Sequence, residues 1–153
     1  MKEEAIFRPL SSARERTLQL IESISEEYWD EIPSGFRNNI RWNVGHILTV
    51  HEFFAFGPGS KHLPESYPTF FNKDTKPADW VSTPPSKAEL LGYLKEQPSR
   101  VENALQGKLA NPLRNSFLGM ETVGELLVFS SFHEGMHVGV INALAKVVTR
   151  ASK

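Results

Sequence analysis

The sequence contains no cysteine. That excludes a disulfide framework, a thiolate metal site and a cysteine nucleophile, and leaves a cytoplasmic setting as the default expectation. No apolar run approaches the ~20 residues that a membrane-spanning helix needs. The amino end, Met1-Lys2-Glu3-Glu4, is acidic and carries no apolar stretch of the signal-peptide kind. Excess charge is lacking too: a net charge of -1 offers no electrostatic footprint for nucleic acid or an anionic membrane. Alternating strand runs, internal repeats and low-complexity tracts are also absent. What remains is a chain of 153 residues, 40% hydrophobic and 23% charged, an ordinary balance for one globular domain spanning 1–153.

Hydrophobic periodicity predicts four amphipathic helices. Ser12-Ala13-Arg14-Glu15 has the form of a capping box. The stripe Leu10, Ala13, Thr17, Ile21, Ile24, Tyr28 then recurs at helical spacing until Pro33-Ser34-Gly35. Asn38 or Asn39 can cap a second helix whose stripe runs through Trp42, His46, Val50 and Phe53 to Gly57-Pro58-Gly59. A third opens at Ser86-Lys87-Ala88-Glu89, contains Pro98, which should kink or break it, and ends near Gly107. A polar connector over 113–119, with a short extended piece at Ser116-Phe117-Leu118, leads to the fourth. That helix starts at the capping box Thr122-Val123-Gly124-Glu125 and runs to about Val148.

The expected architecture is all-α, a four-helix bundle with a long connection between helices two and three. Residues 57–85 carry Pro58, Pro64, Pro68, Pro77, Pro84 and Pro85, which rule out one regular helix. They also carry Tyr67, Phe70, Phe71 and Trp80. A lid and an ordered strap are both open readings, and the strap is preferred because loop aromatics more often pack than bind. So long a connection also permits a crossover topology.

Function concentrates in Ser131-Phe132-His133-Glu134-Gly135-Met136-His137. Histidines four apart share one helix face, where two imidazoles can converge on a metal ion. A lone histidine on an apolar face is usually a satisfied core residue, but two on one buried stripe each need a partner. The match to H-E-x-x-H suggests a metalloprotease, yet no Asp or Glu follows Glu134 and no His follows His137, so the usual downstream ligand is missing. His46, on the core stripe of the second helix, can reach the same depth. Three imidazoles hold a divalent metal and leave a position open. His51 lies roughly 140° around the helix from His46 and is at most a pocket residue. His62, in the connection, is expected in solvent.

Trp42-x3-His46 on a second helix, a long loop, and His133-x3-His137-x-Gly139 on a fourth together resemble the DinB-like superfamily with its YfiT-like members. The wording Arg41-Trp42-Asn43-Val44-Gly45-His46-Ile47-Leu48 carries the likeness most strongly. The resemblance implies a four-helix bundle with His46, His133 and His137 as ligands of a divalent metal. It also implies a small-molecule substrate, a homodimer, and a reaction with a low-molecular-weight thiol such as bacillithiol. Imidazole ligation suits zinc, nickel, iron or copper. An open site of this kind can acidify bound water for hydrolysis or bind a thiol as thiolate. Glu134, His51 and Glu52 are the candidates for proton transfer. The expected activity is thiol S-transfer, with a metal-dependent hydrolase or a noncatalytic metal-binding dimer as alternatives.

Overall fold

Side-chain caps start three of the long helices in the computed structural model, which describes residues 2–151. Met1, Ser152 and Lys153 of the expected domain lie outside the described residues. Asn39 accepts from the Trp42 amide and starts α2 (Ile40–Phe56), and Gly57 ends it at a positive φ of 73° that favours glycine. Ser86 accepts from the Glu89 amide and starts α4 (Lys87–Leu105). At α5 (Val123–Ala151) the box is reciprocal: Thr122 Oγ1 accepts from the Glu125 amide while the Glu125 carboxylate accepts from the Glu121 and Thr122 amides. Pro98 is accommodated within continuous α4.

The first helix departs from expectation. α1 spans Glu4–Glu22, so Ser12 lies inside it and caps nothing. Ile6 and Phe7 explain the extension, because they are buried with Leu10, Val101, Leu109 and Leu127 in a small core at one end of the bundle. Beyond α1 the chain makes a 3-10 turn at Glu26–Tyr28.

The residues after α2 form a packed strap. It contains a short helix, α3 (Tyr67–Phe71), and a 3-10 turn at Pro77–Asp79. Tyr67, Phe70 and Phe71 are buried in the main core, and Trp80 packs against it. Gly45 of α2 admits this strap: a Cβ there would lie 2.4 Å from the Phe71 ring. The polar connector proves to be a hairpin, with β1 (Pro112–Phe117) antiparallel to β2 (Met120–Thr122). Its turn residues Leu118 and Gly119 both have positive φ, the backbone twist that favours tight hairpins. β1 showed no alternating pattern because it lies largely exposed, and β2, three residues long with Met120 and Thr122 half-buried, is too short to show one.

Paired residues give the helix directions. Trp42 and His46 lie near His137 while Phe54 lies near Phe129, so α2 and α5 are antiparallel. Arg14 meets Glu134, and a Cβ on Gly124 would touch Ile6, so α1 and α5 are parallel. Gln97 and Arg100 meet Leu48 and Glu52, and Arg41 meets Pro85, which makes α2 and α4 parallel. The four long helices therefore run up, down, down, up. The strap is the crossover that returns the chain along the bundle between two parallel neighbours. The chain is all-α apart from the hairpin, and among the described residues no helix is long and apolar enough to cross a membrane.

A buried polar chain ties the long helices together. Arg14 of α1 donates to both Glu134 oxygens on α5, at 2.8 and 3.0 Å, and to the Leu94 carbonyl and Gln97 of α4. Gln97 in turn donates to the Leu48 carbonyl and to Glu52 of α2. Arg14→Ala leaves the Glu134 carboxylate buried without its cation, at a cost of about 3–5 kcal/mol. The urea midpoint should fall accordingly, and Arg14→Met with Glu134→Leu should recover most of the loss because no charge is then stranded.

Candidate metal centre

α2 and α5 are antiparallel neighbours, so His46 faces the one-turn pair His133 and His137 across their interface. One ring nitrogen from each of the three lies within 4.8 Å of the others. Ring centroids are 5.1 Å apart for His46–His133, 4.8 Å for His46–His137 and 4.5 Å for His133–His137. Trp42 stacks on His46 at 4.4 Å with planes 13° apart and is held by a bond from its indole N–H to Thr75 Oγ1. His46 is buried, whereas His133 and His137 are half-buried and keep the cluster reachable from solvent.

Two of the rings are oriented by their far nitrogens. His46 Nδ1 lies 2.5 Å from the Phe71 carbonyl oxygen, which can only accept, so Nδ1 carries the proton and Nε2 keeps its lone pair. His137 Nδ1 lies 2.8 Å from Asn43 Oδ1. Asn43 donates through Nδ2 to the Asn39 carbonyl, which assigns its oxygen to His137 and so places the proton on His137 Nδ1. Such anchoring of the far nitrogen is how metal-binding histidines are commonly aimed. The same Asn39 whose side chain caps α2 thus also supports a histidine of the triad.

Electrostatics keep the rings neutral. Burial lowers His46, against the raising effect of the Phe71 carbonyl. Burial and the neighbouring His46 push His133 down to about 4. Burial, His133 and His46 push His137 down to about 3. Neutral imidazoles offer lone pairs, the state a cation requires. The residues present therefore fit a divalent metal.

The other candidates lie elsewhere. His51 is buried with its Nδ1 2.7 Å from Ser130 Oγ, and burial together with Arg14 pushes it down to about 4. Glu134 follows His133 in sequence but turns roughly 100° around α5 toward α1, where Arg14 and Thr17 hold it. Glu52 receives bonds from Ser60, Gln97 and Arg100; burial pushes its carboxyl up, but these donors outweigh burial and hold it at about 2. His62, expected in solvent, is exposed yet lies 2.8 Å from Glu52. Asn43 was missed as a supporting residue, although a buried amide inside an apolar helix is itself a signal that it has partners to satisfy.

The family model of the DinB superfamily matches residues 10–141. No curated protein matches the chain. With most of its length covered, the chain belongs to the DinB superfamily.

Two measurements follow from this geometry. Asn43→Leu removes the acceptor that orients His137 and should weaken divalent-metal binding by about 10–100-fold in a competition titration with a chelating dye. For His51 the sign is set by its depressed value: the unfolded chain takes up a proton below the ordinary 6.5, and the folded one only near 4. Its contribution to stability is complete above about pH 6.5 and is lost as pH falls toward 4, about 3 kcal/mol in all. Urea unfolding of metal-free protein at pH 7 and pH 4.5 should show a smaller drop for His51→Asn than for wild type.

Proposed function

We propose that this member of the DinB superfamily is a metal-dependent enzyme that transfers a small thiol to an electrophilic substrate, with the metal held by His46, His133 and His137. The observation that carries the reading is the convergence of three neutral imidazoles within 4.8 Å, two of them aimed by the Phe71 carbonyl and by Asn43. A divalent cation bound there would lower the pKa of a thiol and supply thiolate at neutral pH. The thiol must come from outside, since the chain has no cysteine. Family kinship supports a low-molecular-weight thiol of the bacillithiol type.

Each neighbouring residue has a part in this reading. Trp42 covers one face of His46 and keeps water from that side. Phe54 and Phe129 flank His133 at 6.2 and 6.5 Å and make the approach apolar. Glu134 and His51 act by positioning, because Glu134 is engaged by Arg14 and Thr17 and His51 by Ser130. A metal-dependent hydrolase is the rival on the same site, since a cation there would acidify water equally well.

Metal analysis of purified wild type should find a divalent ion, zinc, nickel or iron, and His137→Ala should lose most of it. Equal metal content in the two proteins would remove His137 as a ligand. Wild type should then conjugate bacillithiol to an alkylating electrophile in a metal-dependent way. Metal-dependent ester or amide cleavage without conjugation would favour the hydrolase, and turnover in neither assay would favour a noncatalytic metal-binding bundle.

A further inference from the structure

A cavity of about 690 Å³ lies between the hairpin and the first turns of α5. Leu118, Gly119 and Met120 of the hairpin form one wall, and Val128, Phe129 and Phe132 of α5 form the other. The volume falls in the range of small-molecule sites, which are concave and mostly apolar. Solvent reaches it, because Leu118 is 76% exposed, Phe132 64% and Val128 50%.

Its place beside the triad comes from Phe129. That ring lines the cavity and lies 6.5 Å from the His133 ring. Phe132, the residue before His133, also lines the cavity and lies 5.9 Å from Phe129. Phe117, at the end of β1, lies 6.1 Å from Phe129 and 5.3 Å from Phe54, and Phe54 lies 6.2 Å from His133. The wall between the triad and the cavity is therefore aromatic and one ring deep at Phe129. A ligand that reaches His133 past that ring extends into the cavity.

The lining selects the charge of such a ligand. Among the described residues no lysine, arginine or histidine lines the cavity. Its one carboxylate, Glu125, accepts from the Glu121 and Thr122 amides, which hold it below its ordinary value and keep it anionic. Thr122 Oγ1 accepts from the Glu125 amide. Both polar side chains are thus engaged with backbone, and the surface left for a ligand is apolar and aromatic. An anionic group there would find no cation and would meet Glu125.

We propose that this cavity binds an uncharged aromatic group of the electrophile that reacts at the triad. Edge-to-face contact with Phe129 and Phe132 is the interaction it would gain beyond burial. The assignment to the electrophile rests on the thiol-transfer reading, whereas the binding of a neutral aromatic group does not.

Binding is tested first, with a probe that cannot react. N-phenethylacetamide should bind the purified protein with a Kd on the order of 1 mM in a saturation-transfer titration. Adding a carboxylate, as in 4-(2-acetamidoethyl)benzoate, should weaken binding by about tenfold or more. Ala110→Trp and Val128→Trp fill the cavity from two sides, and each should weaken the neutral probe by about tenfold or more with helical circular dichroism retained. No binding at about 10 mM, equal binding in both tryptophan variants, or a preference for the carboxylate would overturn the proposal.

Reaction is tested second, with bacillithiol and the matching chloroacetamides. The thiol loses its proton to solvent, its sulfur bonds to the α-carbon, and chloride leaves with the electron pair of the broken carbon–chlorine bond. Wild type should show a kcat/KM for 2-chloro-N-phenethylacetamide about tenfold or more above that for 2-chloroacetamide, and Ala110→Trp should bring the ratio toward one. Equal kcat/KM for the two in wild type would overturn the substrate assignment and leave thiol transfer intact. Binding without conjugation of either would overturn the thiol-transfer reading, and with it the assignment to an electrophile, while the aromatic site itself would stand.

Discussion

The ion pair between Arg14 and Glu134 is the constraint on which the arrangement of helices depends. Both groups are almost wholly buried. A charge taken out of water is tolerated only when its partner and remaining hydrogen bonds are all supplied, so this pair admits few alternative packings. Thr17, the Leu94 carbonyl and Gln97 supply those bonds from α1 and α4, and Gln97 passes the connection on to Glu52 of α2. Sliding or rotating any one long helix would strand a buried polar group. The apolar core favours burial in general, whereas this polar chain specifies which helix meets which and at what rotation.

The convergence of the three histidines depends on that rotation. Glu134 and His133 are adjacent on α5, so holding the carboxylate against α1 turns the His133–His137 face toward α2. His46 is placed from its own side by the strap, through the Phe71 carbonyl, and the strap comes close enough only because position 45 is glycine. Asn39 caps α2 and accepts from Asn43, which orients His137. The three histidines are thus positioned by groups whose other task is structural, which is why the polar core and the site cannot be varied independently. The crossover serves the same end, carrying Phe71 back alongside the helix that bears His46.

Much of this was legible in the residues. Three of the helix ends follow from Asn39, Ser86 and the Thr122–Glu125 box, because a cap is a local interaction complete within four residues. The pairing of His133 with His137 follows from helix periodicity alone. The start of α1 did not, because burial of Ile6 and Phe7 against distant residues outweighs the local signal at Ser12. The hairpin was hidden because exposed β1 has no buried face to impose alternation and β2 is only three residues long. Glu134 was weighed as a base from its place in a motif, but its direction depends on Arg14, 120 positions away.

By itself the sequence determined the all-α class, the long helices, the capping chemistry and the candidacy of His46, His133 and His137, all of which rest on short-range spacing. Only the tertiary structure decided the up-down-down-up order, the tautomers of His46 and His137, and the separation of Glu134 and His51 from the triad. These depend on partners far apart in the chain. No periodicity encodes which distant carbonyl or guanidinium will satisfy a buried polar atom.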